Sequence, residues 1–252
     1  MDADAPTAAE RARWVRQLGD EGLHGRLLAC LPCLHEVDEC EPGVPSELTG
    51  WVRVAAWNVQ RGRHPGEVAA RLVSCEADVM LLSEVDSGMA RTQNVDVTDA
   101  IATKLRAGYA FGVEFVELGL GDPSEQAAAG SLENERGLHG NAIVTRAVLD
   151  DPTVIRLPDV GLGWFAAGSP QPHVGGRMAV VATVTIGRRR RAARLDPLGE
   201  PHRCRAPGRT ARVAPGEGRR ALRRWTSRRR RRLQHARCPY EDLFDRSVVR
   251  AL

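Results

Sequence analysis

Residues 77–86 read ADVMLLSEVD. Positions 79–82 are four consecutive apolar residues without polar alternation, the pattern of a strand covered on both faces. The run stops at Ser83-Glu84, so the spacing predicts a buried strand that ends in a carboxylate at the rim of its sheet. Further strand-like stretches lie at 53–59 (RVAAWNV), 109–118 (YAFGVEFVEL), 141–145 (NAIVT) and 177–186 (RMAVVATVTI). Helical spacing separates them, at 65–75 with Val68, Leu72 and Val73 on one side, and at 97–105. Strands that alternate with helices predict an α/β fold. Between them, residues 119–137 (GLGDPSEQAAAGSLENERG) form a polar, Gly-containing loop whose length marks it as functional or without fixed order.

Three pieces carry the candidate chemistry: Trp57-Asn58 at a strand end, Glu84 at the end of the buried strand, and His139-Gly140-Asn141 where a polar loop enters a strand. A carboxylate at a sheet rim is open to solvent and to a cation. Mg²⁺ takes hard oxygen ligands, usually one or two carboxylates with waters and a substrate phosphate. A neighbouring Asn can bond a phosphate oxygen or orient the carboxylate. Each residue also has a plainer reading. Glu84 is then a solvated strand end, Asn58 a turn or cap, and His139 an ordinary loop histidine. Asp86 and Glu114 read as structural or solvent contacts.

Taken in order, RVAAWNVQRG, ADVMLLSEVD, GLHGNAIVTR and VGGRMAVVATVTI resemble the endonuclease/exonuclease/phosphatase family. That family includes pancreatic-type deoxyribonucleases, apurinic endonucleases, sphingomyelinases and inositol phosphatases. The resemblance covers residues 51–186. It implies a four-layer α/β sandwich, two packed mixed sheets flanked by helices, of which this chain carries the N-terminal part. It also implies a metal-dependent phosphoesterase that hydrolyses a phosphodiester or phosphomonoester with Mg²⁺ or Mn²⁺. By resemblance Glu84 and Asn58 stand on the metal side, Asn141 faces the substrate phosphate, and His139 and Arg177 lie close to it. The same resemblance calls for a Gly-Asp-x-Asn motif and a Ser-Asp-His motif further on, and this sequence has neither. Without them the positioning of water and phosphate, and the general base, are missing. Impaired activity is therefore expected.

Charge divides the chain at the same place. Residues 1–186 hold 15 basic and 26 acidic residues, net −11, whereas 187–252 hold 21 and 6, net +15. The chain accordingly divides into a helical extension and linker at 1–50 (helical over about 8–31), the phosphoesterase-like part at 51–186, and an Arg-rich segment at 187–252. The last is rich in Arg, Pro, Gly and Ala and has little apolar periodicity, so it is expected to lack stable order beyond a marginal helix near 217–233. One Lys against 35 Arg fits a GC-rich coding sequence, and the segment fits translation from a shifted frame. The other reading frames past codon 187 should then encode the two absent motifs. A second reading of the whole chain is a basic nucleic-acid-binding protein, its Arg-rich segment contacting phosphates non-specifically and its N-terminal part a catalytically dead scaffold.

Other classes find less support. No run of about 18 apolar residues is present and the acidic N-terminus is unlike a signal peptide, so no membrane span and a cytoplasmic location are expected. Six cysteines do not suggest a disulfide framework. Cys30, Cys33, His35 and Cys40 lack a second ligand pair at zinc-site separation, and Gly119-Leu120-Gly121 lacks the third Gly of a dinucleotide fingerprint.

Overall fold

A computed structural model describes residues 5–158, 164–187, 189–195 and 210–213. The N-terminal helical stretch is two helices, α1 (Ala8–Val15) and α2 (Glu21–Cys30). Thr7 starts the first with a capping box to Glu10, and Asp20 caps the second. The break falls at Gly19, which takes φ +94°. After a 3-10 turn at Pro32–Leu34 the chain forms β1 (Val37–Cys40), then β2 (Val52–Arg61), α3 (Pro65–Ser74), β3 (Val79–Ser87), α4 (Val97–Leu105) and β4 (Gly108–Glu117). The polar loop contains a short helix, α5 (Pro123–Ala129), and is followed by β5 (Leu138–Thr145), β6 (Leu149–Arg156), β7 (His173–Gly175) and β8 (Met178–Ile186).

Two strands continue past the point where apolar patterning ends, β9 (Arg189–Leu195) and β10 (Thr210–Val213). This corrects the expectation that strands end with residue 186. β9 pairs antiparallel with β8 and β10 pairs antiparallel with β2, so both are recruited by existing strand edges rather than by a hydrophobic pattern of their own. The rest of 187–252, including the marginal helix near 217–233, lies outside the described residues.

The larger sheet runs β1-β4-β5-β3-β2-β10, with β7 also on β4, and the smaller runs β6-β8-β9. β2 and β3 are parallel and the other named pairings of the larger sheet are antiparallel, so that sheet is mixed. The smaller sheet is antiparallel, with a parallel bridge from Leu48 to Ile186 at its margin. Residues 37–40 thus join the main sheet, so the N-terminal extension is part of its fabric.

The continuous apolar run of β3 is explained by what covers it. Met80, Leu82 and Val85 meet Val68 and Leu72 of α3 and Val97 and Ile101 of α4 in one core. Val79 and Leu81 face the other way, with Ala110 and Ile143, onto Met178, Val180, Ala182 and Val184 of β8. Each such large side chain, fully buried, contributes about 1.5–3 kcal/mol. The described residues therefore build three layers: helices, the large sheet and the small sheet. The outward side of β8, at Val181, Thr183 and Thr185, is half-buried to exposed, so it has less apolar surface to cover than a central strand.

β5 lies so close to β4 that a Cβ at Gly140 would stand 2.0 Å from the Gly112 carbonyl oxygen. The colliding atom is backbone and cannot rotate away. Gly140→Ala is therefore expected to destabilise by about 3 kcal/mol, the upper end of overpacking costs, read as a lower midpoint in chemical denaturation.

Candidate functional site

Two strands break register at the same level. β2 shifts against β3 between Asn58 and Arg61, and β3 shifts against β5 between Leu82 and Val85. Within these irregularities Gln60 (φ 49°), Arg61 (φ 73°) and Glu84 (φ 56°) are left-handed without being glycine. Such backbone costs on the order of 1–3 kcal/mol per residue and persists only where its surroundings over-determine it. Two of these residues, Arg61 and Glu84, meet in an ion pair.

The side chains converge. Asn58 Nδ2 donates to Glu84 Oε1 at 2.6 Å, while Asn58 Oδ1 accepts from the Gln60 amide at 2.9 Å. Arg61 Nη1 donates to Glu84 Oε2 at 2.8 Å, and its Nε donates to Glu125 Oε1 at 3.0 Å. Glu125 arrives from α5, where its other oxygen accepts from the Asp122 amide at 2.9 Å in a capping box. The tight approach needs Gly121 at φ +92°, because a Cβ there would overlap Glu125 Oε2. Arg61, Glu84 and Glu125 line a cavity of about 330 Å³ together with Gln60 and Arg63.

Behind the rim the charges continue inward. Arg91, 1% exposed, lies 3.3 Å from Glu125 through Nη1. It grips Asp86 with Nε at 2.7 Å and Nη2 at 2.8 Å, and it reaches Glu117 at 3.4 Å. Asp86, fully buried, also holds His139 Nδ1 at 2.7 Å. Burial alone would raise the Asp86 carboxyl, but the bonds from Arg91 and His139 outweigh it and hold it below its ordinary value. Burial raises Glu117, which Arg91 offsets only in part, and the surrounding carboxylates push the Arg91 guanidinium up against its own burial.

A separate cluster lies between the sheets. Asn141 Nδ2 donates to Glu114 Oε2 at 3.3 Å and lies 3.2 Å from Met178 Sδ, while its buried Oδ1 has no hydrogen-bond partner among the described residues. Arg177 Nη1 donates to the other Glu114 oxygen at 3.2 Å, and its guanidinium sits 5.5 Å from the Trp164 ring centroid. Burial raises Glu114, with Arg177 pulling the other way. His173 packs against Phe115 and Trp164, and burial lowers its imidazole to about 3.

Of the residues marked by sequence, Asn58 and Glu84 are thus brought into direct contact. His139 is paired with Asp86, Asn141 with Glu114, and neither has a hydrogen bond to Asn58 or Glu84 among the described residues. Sequence reading missed Arg61, Arg91, Glu117 and Glu125. The available signals were Arg61 three residues past Asn58, and the Asp-Pro-x-Glu start of α5, a capping box.

The donor set does not fit a hard divalent cation. Both oxygens of Glu84 are engaged by Asn58 and Arg61, and both oxygens of Glu125 by Arg61 and the Asp122 amide. Among the described residues no group of three His, Cys, Asp or Glu side chains converges as a metal site would require. Among the described residues the cysteines are not grouped either. Cys33 is buried, its thiol pushed up by burial to about 11, while Cys30 and Cys40 are exposed and His35 Nε2 bonds the Leu28 carbonyl. No helix among the described residues is long and apolar enough to cross a membrane.

No family model and no curated protein matches the chain. Among solved structures it is similar to TDP2 from Caenorhabditis elegans at 14% identity and a TM-score of 0.28, over 67% of this chain and 39% of that one. The chain thus spans less than two thirds of that structure, and a likeness at this level carries no functional argument.

Proposed function

We propose that the chain is a phosphoesterase-like scaffold that does not itself hydrolyse a phosphate ester, and that it binds nucleic acid through the basic segment 187–252. The observation that carries this reading is the state of Glu84, whose two oxygens are taken by Arg61 and Asn58. A carboxylate neutralised by a tethered guanidinium is a poor ligand for Mg²⁺, which must first strip that partner away. Binding is supported by charge. Net +15 over residues 187–252 attracts phosphates, whereas net −11 over 1–186 repels them, so affinity is carried by the former. That segment has only Trp225, Tyr240 and Phe244 for stacking, which favours phosphate contacts without base readout.

The competing reading is hydrolysis with Mg²⁺ or Mn²⁺ held by Glu84 and Asn58, and with Asn141 and His139 facing the phosphate. The sequence resemblance supports it, but the engaged rim and the separate pairing of His139 and Asn141 count against it. Fluorescence anisotropy of the full chain with a labelled duplex, titrated across NaCl concentrations, tests the preferred reading. Binding that weakens steeply with salt and ignores duplex sequence is expected. Absent or salt-insensitive binding sinks it.

A further inference from the structure

Arg61 occupies an unusual position for a surface arginine. Its backbone is left-handed at φ 73°, and its guanidinium forks between carboxylates from two elements, Glu84 of the β3 irregularity and Glu125 of α5. Its side chain is 23% exposed and that of Glu125 only 5%, so the Glu125 arm of the bridge is shielded, whereas Glu84, at 37%, is open to solvent and to a cation. All four carboxylate oxygens have donors: Asn58 and Arg61 on Glu84, Arg61 and the Asp122 amide on Glu125.

We propose that Arg61 is a built-in cation that takes the place of a divalent metal at this rim. The inference rests on the reading that the rim is not a metal centre, and it names the group responsible. A guanidinium keeps its charge at all accessible pH and presents several donors in a fixed plane, which suits two convergent carboxylates. Because it is tethered, its local concentration is high, in the millimolar range or above, so a metal from solution must compete with an intramolecular partner. The bridge also fastens α5, and with it the polar loop, to the strand ends without any exogenous ion. The cavity beside it, lined by Gln60, Arg61, Arg63, Glu84 and Glu125, has room for a hydrated ion once the guanidinium is removed.

The test is Mn²⁺ binding to the full chain by isothermal titration calorimetry, compared among wild type, Arg61→Gln and Arg61→Gln/Glu84→Gln. Mn²⁺ affinity is expected to rise at least about tenfold in Arg61→Gln, and the gain is expected to vanish in the double variant. Arg61→Met, which keeps the aliphatic stem, serves as a second variant, with circular dichroism confirming the fold of each. A wild-type measurement stands beside them: the thermal midpoint should not respond to millimolar Mn²⁺. A folded Arg61 variant that gains no affinity overturns the proposal, as does a Mn²⁺-induced rise in the wild-type midpoint that Glu84→Gln abolishes. Neither result depends on nucleic-acid binding. Loss of duplex affinity alone would count against segment 187–252 and leave Arg61 in place.

Discussion

Arg91→Met is expected to lower the free energy of unfolding at neutral pH by about 3–5 kcal/mol, the cost of leaving buried charges without their partner. Arg91 is 1% exposed and meets Asp86, Glu117 and Glu125, whose side chains are 0%, 8% and 5% exposed. Removing it leaves three buried carboxylates whose remaining cationic partners, among the described residues, are Arg61 on Glu125 and His139 on Asp86. A change of that size is a large part of a domain's total stability. The pH dependence has a definite sign. In the wild type the Asp86 carboxyl is held below its ordinary value, so its contribution is present above about pH 4 and is lost as pH falls through the lowered value. Without Arg91, burial prevails and Asp86 joins Glu117 in favouring the protonated form. The variant should therefore lose stability as pH rises from the carboxylate range. Thermal melts of both proteins near the acid and neutral ends should show the gap narrowing toward acid. A gap that stays constant with pH would mean that Arg91 contributes packing rather than charge.

The second large effect is expected in the Arg-rich segment. Residues 228–232 are five consecutive arginines, and replacing all five with glutamine removes a third of the net +15 of residues 187–252. Each phosphate that is no longer neutralised by an arginine reduces the slope of log affinity against log salt by about 0.9. Five such phosphates flatten it by about 4–5, and the fall in affinity between about 50 and 200 mM salt shrinks by a factor on the order of 10²–10³. The change should be equal on duplexes of unrelated sequence. Weakening confined to one sequence would indicate base recognition and a different mode of binding.

Much of the fold was legible because burial leaves a periodic trace. The unbroken run at 79–82 marks a strand covered on both faces, and it is sandwiched between helices and the smaller sheet. What stayed hidden carries little such trace. β1 (Val37–Cys40) has two acidic residues in four, and it forms by pairing with β4 at the sheet edge. β6 contains Asp150-Asp151-Pro152, which reads as a turn, and the ladder indeed shifts register between Asp150 and Thr153. β9 is a backbone pairing of an Arg-rich segment, invisible to hydrophobic patterning.

The candidate site was legible in the same uneven way. Asn58 and Glu84 read as strand ends, whereas they lie inside β2 (Val52–Arg61) and β3 (Val79–Ser87), at register irregularities beyond which both strands continue; parallel pairing of those strands still brings them together. Arg61, Arg91 and Glu125 acquire their roles only when β2, a 3-10 turn at Ala90–Thr92 and α5 are assembled side by side. Their charges look like solvated surface in the sequence. Asp86 reads as a structural or solvent contact, and of these two it is the structural one, fully buried between Arg91 and His139.

Hydrolysis of bis-p-nitrophenyl phosphate by the full chain, with and without Mg²⁺ or Mn²⁺ and beside Glu84→Ala, bears most directly on the proposal that this rim is a scaffold and not a working phosphoesterase. No metal-dependent turnover above background is expected from either protein. Metal-dependent turnover by the wild type that Glu84→Ala abolishes would contradict the proposal, because the bridge to Arg61 would then have to open and Glu84 would act as a ligand after all.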